Sequence, residues 1–483
     1  MHAPLVQRNF VKRRTFLTGS SAGVGMIALR SLLQQDRLFA SPGSPPDLQN
    51  PLAAKPSHFV PKAKNCIFIF LAGGTSQVDL YDPKPELTAR TGQHLPESFT
   101  QGNRFSNIKL DESYLMGSPF RFQPRGECGT EISELLPHIG SCADDIALIR
   151  TVHHHAFSHG PGELAFCTGK DLPGRASVGA WLTYGLGSEC QDLPGYVVLV
   201  NDRAPVTRAL SWGSGFLPSV HQGVLFRSQG EPLLNLTRPA GVARNMDRRQ
   251  LDTISRLNQA RYQQVGDPEI MSRIAAYEMA FRMQMAAPDL IDLSQETTAS
   301  LSAYGIDRPG SSGNFSRNCL LARRLVERGV RCVTICQRRW DFHEDLFGRI
   351  PAACRTVDQP IAALLKDLKQ RGLLDSTLVV WGTEFGRTAL SQNSQPTKTS
   401  GRDHHPFAFS LWMAGGGVKG GQVVGRTDEF GWLPVEDPVH LNDFHATMMH
   451  LFGLNHEELT FRFKGFDFRL TDVAGKVVRK LVS

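Results

Sequence analysis

Four short stretches of this sequence gather the residue types that hold metal ions and move protons. They are "HHHAFSHG" (His153 to Gly160), "WDFHEDLF" (Trp340 to Phe347), "GTEFGRT" (Gly382 to Thr388) and "GRDHHP" (Gly401 to Pro406). Carboxylate oxygen and imidazole nitrogen together suit zinc, manganese or iron, and the carboxylates also admit magnesium or calcium. Divalent ions held by such groups polarise an ester oxygen and activate water. An imidazole, which titrates near neutral pH, suits proton transfer to a leaving oxygen. A lone Asp-x-His pair or a lone histidine is more often structural. The four stretches gain weight together because of where each one sits along the chain.

Three of the four stretches lie close behind an apolar run, and "GRDHHP" lies directly in front of one. "NCIFIFLAGG" (Asn65 to Gly74), "IALIRTV", "GYVVLV", "VRCVTICQ", "STLVVWGTEFG" and "FAFSLWMAGGG" read as strands buried on both faces. "FSRNCLLARRLVERG" and "VDQPIAALLKDLKQRGLLD" are amphipathic and lead into strands. Helix-then-strand alternation predicts a layered α/β fold with a mostly parallel sheet. Ligands of such sheets bind beyond the carboxyl ends of the strands. The expectation is therefore that the carboxylates and histidines converge at one sheet edge, together with "VDLYDP" after the first strand, which carries Asp79 and Asp82. Residues from about 247 to 292 have helical spacing with no strand between and read as a helical insertion. "SQNSQPTKTSGR" (Ser391 to Arg402) reads as a polar loop.

At 483 residues, with 41% hydrophobic and 20% charged residues, the composition is globular. The formal charge of +7 is spread along the chain. It suits an anionic ligand, and no zinc-finger, RNP-like or helix-turn-helix pattern points to nucleic acid. "VKRRTFLTGSSAGVGMIALRSLL", with Arg13, Arg14, Phe16 and Leu17, resembles a twin-arginine export signal. The expected layout is a signal peptide over 1–40, a Pro-rich linker over 41–60 and one domain over 61–483. No transmembrane segment is expected in the mature chain, which would be periplasmic or associated with the cell envelope. Export of a folded chain would suit metal loading in the cytoplasm. The nine cysteines form no dense framework. Cys332 and Cys336, four apart on a strand, would lie about 13 Å apart, beyond disulfide reach.

The order of "FIFLAGGTSQVDLYDPKP", "HGPGELAFCTGK", "GFLPSVHQGV", "WDFHEDLF", "LVVWGTEFGRT", "GRDHHPFAFSLWMAGGGVKGG" and "HLNDFHATMMHLFGL" resembles the DUF1501 family over about Asn65 to Leu454. Those are exported, sulfatase-like proteins that look like a branch of the alkaline phosphatase superfamily. The resemblance implies a three-layer α/β/α domain with a mixed central sheet and a two-metal site at the strand ends. It implies Asp341 and His343 as metal ligands, and Glu384 in place of the aspartate of an Asp-His pair. Phe385 departs from that pair's histidine. His404 or His405 falls in the late histidine region, and only one of two adjacent residues in an extended segment faces the site. Asp79 is the ligand expected after the first strand. Thr168-Gly169 keeps a sulfatase Thr-Gly pair, but His159 stands near the nucleophile position and Cys167 lies outside the required motif. Ser158, or Thr75 or Ser76, is left as the candidate nucleophile, and His159 as a candidate ligand.

The reading these residues support is a metal-dependent hydrolase of phosphate or sulfate esters, acting on an anionic substrate such as a sulfated or phosphorylated glycan. His155 or His159 would be the general acid, and Arg387 or Arg402 would hold the non-bridging oxygens bidentately. The alternative is a non-catalytic relative that binds a polysaccharide or a protein partner. The absent histidine at Phe385 and the absent nucleophile motif favour the alternative. The dense Asp, His and Glu clusters favour the hydrolase.

Overall fold

A nine-stranded sheet carries the structure, and all but one of its strands run parallel. The computed structural model describes residues 50–100, 107–227, 233, 244–306 and 313–483. The export-signal reading over 1–40 lies outside the described residues. The strands are β1 (Asn65–Ala72), β2 (Ile146–His153), β3 (Tyr196–Asn201), β4 (Val224–Phe226), β5 (Cys332–Arg338), β6 (Thr377–Gly382), β7 (Phe409–Ala414), β8 (Gln422–Val424) and β9 (Val439–His440). Their order is β8-β2-β7-β6-β1-β5-β3-β4, with β9 also paired to β2. Only β7 is antiparallel to its neighbours. The α/β expectation of a mixed, mostly parallel sheet is met, and the six longest strands are the six apolar runs.

β1 shows why those runs lack alternation. Ile67, Ile69 and Leu71 pack into one core, while Cys66, Phe68 and Phe70 pack into the other. Both faces are covered, so both sets must be apolar. The first core lies under helices α4 (Pro268–Ile291), α5 (Gly313–Glu327) and α6 (Leu346–Gln370). The second lies under α1 (His159–Thr168), α2 (Val178–Leu186) and α7 (Leu441–Leu451). The result is three layers. The stretch expected as a helical insertion forms α3 (Arg244–Val265) and α4, with no strand between them.

Residues 52–483 form one unit with its own core. Within that unit, part of the expected linker is tied down: Lys55 N–H donates to the Leu186 carbonyl, and His58 N–H donates to that of Gly453. All nine cysteines are free thiols. Among the described residues, no helix is long and apolar enough to cross a membrane.

Candidate metal centre

β1, β5 and β6 end side by side, and their exits build the centre. Trp340 and Asp341 follow β5, Glu384 follows β6, and Gly73 follows β1. Gly73 adopts φ +125°, and a Cβ there would meet the Asp341 backbone nitrogen at 2.6 Å. Only glycine allows this close crossing. Its N–H donates to Glu384 Oε1 at 2.8 Å, and its carbonyl accepts from Arg387 Nη2. The first residue of α1, His159, arrives from the second layer. A two-residue ladder pairs Arg387 with His404 and Gly386 with His405, bringing the "GRDHHP" stretch alongside.

Four side chains meet there. One ligand atom from each of His159, Asp341, His343 and His404 lies within 4.8 Å of all the others. Asp341 stands at the middle. Its Oδ1 is 3.0 Å from His343 Nε2, 3.3 Å from His404 Nε2 and 2.6 Å from Arg387 Nη2. Its Oδ2 is 3.1 Å from His159 Nε2, but off hydrogen-bond alignment, so that buried nitrogen has no aligned partner. Asp341's side chain is 42% exposed, and it gives the cluster an open side.

The outer nitrogen of each ring is held. His159 Nδ1 lies 2.8 Å from Glu384 Oε1, His404 Nδ1 lies 2.8 Å from the Phe157 carbonyl, and His343 Nδ1 lies 2.7 Å from Gln392 Oε1. A carbonyl or carboxylate oxygen accepts only, so each Nδ1 donates and each neutral ring turns an Nε2 lone pair inward. His343 Nε2 and His404 Nε2 then face each other at 3.0 Å. Two lone pairs at that distance repel unless a proton or a cation lies between them. Inward imidazole lone pairs beside a carboxylate, with the outer N–H groups tied back, are the donor set of a divalent transition-metal site.

The electrostatics agree. Burial opposes ionisation of Asp341, yet the surrounding imidazoles of His159, His343 and His404 and the Arg387 charge hold its carboxyl far below the usual range. Burial alone would lower His159, but Asp341 and Glu384 raise it to about 9. An ion entering the metal-free cluster below that pH displaces a proton.

The other expected residues fall elsewhere. Asp79 is fully buried and paired with Arg402, with Nε to Oδ2 at 2.9 Å, and it also accepts from Ser76 Oγ at 2.6 Å. Arg402 further donates to the Met116 and Thr388 carbonyls. Arg387 is equally buried, and besides Asp341 it donates to the carbonyls of Gly73, Gly74, Trp340 and Arg402. Both guanidiniums thus face protein groups. His405 is buried away from the cluster, with Nε2 2.7 Å from the Trp432 carbonyl. Glu384 stands behind His159 as its carboxylate partner and is absent from the group of four. Ser158 caps α1 beside His159, and its side chain makes no capping bond. His155 is exposed, near His440. Phe385 is fully buried and stacks on His404 with ring centroids 4.3 Å apart.

Gln392 and the Phe157 carbonyl escaped the sequence reading. Gln392 lies in the stretch read as a polar loop, and nothing local marks it as a histidine's partner. Glu163, buried on α1, was also missed. A mid-helix glutamate in "HGPGELAF" carries no spacing signal.

Three of the remaining buried histidines predict an acid transition. His154, His405 and His445 are each lowered by burial to about 4, although a backbone carbonyl near Nε2 opposes the shift. In the unfolded chain each ring takes a proton near pH ~6.5. Between those values the unfolded chain binds more protons, so stability is full above about 6.5 and is lost as pH falls towards 4. Each ring accounts for on the order of 3 kcal/mol across that window. Denaturant midpoints followed from pH 7 to 4.5 should fall steeply. His445→Gln should flatten the slope by up to about 1.4 kcal/mol per pH unit, and an unchanged slope in that variant would rule out its role.

A family model described as "Protein of unknown function (DUF1501)" matches residues 63–482. No curated protein matches the chain in sequence. Among solved structures, the chain is similar to the lipoteichoic acid synthase LtaP from Listeria monocytogenes, at 10% identity and TM-score 0.38, covering 88% of this chain and 79% of that one. It is similar to the PsFucS1 sulfatase from Pseudoalteromonas sp., at 11% identity and TM-score 0.36, covering 85% and 72%. It is also similar to the phosphonate monoester hydrolase SpPMH from Silicibacter pomeroyi, at 12% identity and TM-score 0.33, covering 86% and 76%. At these scores the chemistry must rest on the chain's own residues.

Proposed function

The chain belongs to the DUF1501 family, and from that premise we propose that it is an exported, metal-dependent hydrolase of phosphate or sulfate esters. One observation carries the reading: three inward-facing imidazole nitrogens and the Asp341 carboxylate converge within 4.8 Å, with each outer ring nitrogen tied to an acceptor. The donor set fits zinc or manganese better than magnesium or calcium, because imidazoles outnumber carboxylates. A divalent ion held there supplies Lewis acidity towards the ester oxygens and acidifies water.

The chain's own groups do the rest. Glu384 and Arg387 fix His159 and Asp341 from behind, so the ligand atoms need little rearrangement on binding. Asp341's exposed side admits the ester. Ser158 is the nearest hydroxyl in sequence to the cluster. The Arg13-Arg14 pair supports delivery by the twin-arginine route to the periplasm or cell envelope. A second reading, a non-catalytic binder of a polysaccharide or protein, is favoured by Phe385 stacking where the resemblance leads one to expect a metal-binding histidine.

Elemental analysis of purified protein, followed by chelation and re-addition of zinc or manganese over a panel of aryl phosphates, phosphodiesters and sulfates, separates the two. The hydrolase reading expects bound metal, loss of turnover with chelator and return with the ion. Metal-loaded protein that turns over none of the panel, yet binds a polysaccharide, would establish the second reading.

A further inference from the structure

Three arginines without a charge partner lie on segments that the fold ties to the elements of the centre. Arg203, Arg208 and Arg338 have no ion-pair or side-chain hydrogen-bond partner among the described residues. Arg203 and Arg208 are exposed, and Arg338 is half-buried. Most arginines around them are engaged. Arg339 pairs with Asp202, and Arg387 and Arg402 lie inside the protein.

The segment that carries Arg203 and Arg208 is fastened to the centre at two points. Asp202 pairs with Arg339, two residues before Asp341. Glu163, one turn along α1 from His159 and so about 6 Å further along the helix, accepts from Val206 N–H at 2.9 Å, Thr207 N–H at 2.8 Å and Thr207 Oγ1 at 2.7 Å. Arg208 is the next residue. Arg338 arrives from the third side. Cys332, Thr334 and Cys336 of β5 line a small cavity with Cys167 of α1, and Arg338 continues that alternation at the strand's end, on the α1 side of the sheet.

Strain marks the same segments. Asp202, Arg208 and Arg339 have φ of 63°, 49° and 95°. They are three of the eight left-handed non-glycine residues among the described residues. That conformation costs energy in any residue with a side chain, and it persists where the surroundings over-determine it, most often at binding sites. Here the Glu163 and Asp202 ties do the over-determining. Unpaired guanidiniums recognise sulfate or phosphate oxygens bidentately and attract polyanions.

We infer that the rim of Arg203, Arg208 and Arg338 is a second anion subsite, so that the substrate carries a further sulfate or phosphate group beyond the ester held at the metal centre. This rests on the hydrolase reading for the ester, but not for the subsite, which binds anions whether or not turnover occurs.

The test is calorimetric titration of the full metal-loaded protein with inorganic sulfate, inorganic phosphate, sucrose octasulfate and inorganic tripolyphosphate. The same probes are applied to Arg203→Ala/Arg208→Ala, whose two positions are exposed, and to the corresponding double lysine variant. The expected result is that a polyanion binds at least about tenfold tighter than its single anion. That preference should collapse in the alanine variant, be partly rescued by lysine, and weaken as salt rises. A stronger effect with the octasulfate assigns sulfate groups to the rim, and a stronger effect with tripolyphosphate assigns phosphate. Equal preference in wild type and the alanine variant overturns the subsite. If the preference collapses but no ester is turned over, the subsite stands and the hydrolase reading falls. If esters are turned over with no polyanion preference, the hydrolase stands and the subsite falls.

Discussion

Asp341→Asn should empty the metal centre and lower kcat/KM by about 10³-fold or more, the several kcal/mol that metal stabilisation of developing charge supplies. The choice of asparagine matters. Arg387 is fully buried, and among the described residues Asp341 is the only carboxylate it pairs with. Alanine would leave that guanidinium without its side-chain acceptor. Asparagine keeps an acceptor oxygen for Arg387 and removes the negative charge at the centre of the three imidazoles. Metal content should therefore fall while the far-ultraviolet spectrum and the midpoint of unfolding of the metal-free protein stay close to wild type. Glu384→Gln should act more mildly, by about 10–100-fold in metal affinity, because it alters His159's supporting carboxylate and leaves all four ligand atoms in place. Equal metal content in wild type and Asp341→Asn would refute the centre.

Asp79→Ala should do the reverse. Asp79 and Arg402 are both fully buried and joined by two contacts, at 2.9 and 3.3 Å. Removing the carboxylate leaves a charged guanidinium in the interior with only carbonyls to face, at a cost of about 3–5 kcal/mol. For a domain with total stability of about 5–15 kcal/mol that is a large loss. Yet Asp79 is not one of the four groups at the centre. The variant should unfold at much lower denaturant, while whatever fraction remains folded should bind as much metal per mole as wild type. If the folded fraction lost its metal in proportion to Asp79, the assignment of this residue to the interior would be wrong. The two variants thus form a crossed pair, one damaging metal content and the other stability.

The sequence by itself determined the layers and the edge. Strands buried on both faces must be apolar at every position, so β1, β2, β3, β5, β6 and β7 stand out as runs, and the chemistry has to follow their carboxyl ends. Asp341 and His343 were legible for that reason, as was His159 from its position near the start of a segment carrying Thr168-Gly169. What the sequence could not decide is which polar residues share a space. Asp79 and Asp341 both follow parallel strands, and His404 and His405 are neighbours. Arg387 and Arg402 look like substrate clamps on composition alone. Tertiary structure separates them because burial allows a charge only with a partner, and the partner comes from a distant segment: Arg402 for Asp79, the Trp432 carbonyl for His405, and four backbone carbonyls with Asp341 for Arg387. The roles of Gln392 and Glu163 arise the same way, through contacts 49 and 43 residues away in the chain. Periodicity reports which face of an element is buried. It carries no information on which buried group will find which partner, because that depends on how the layers close.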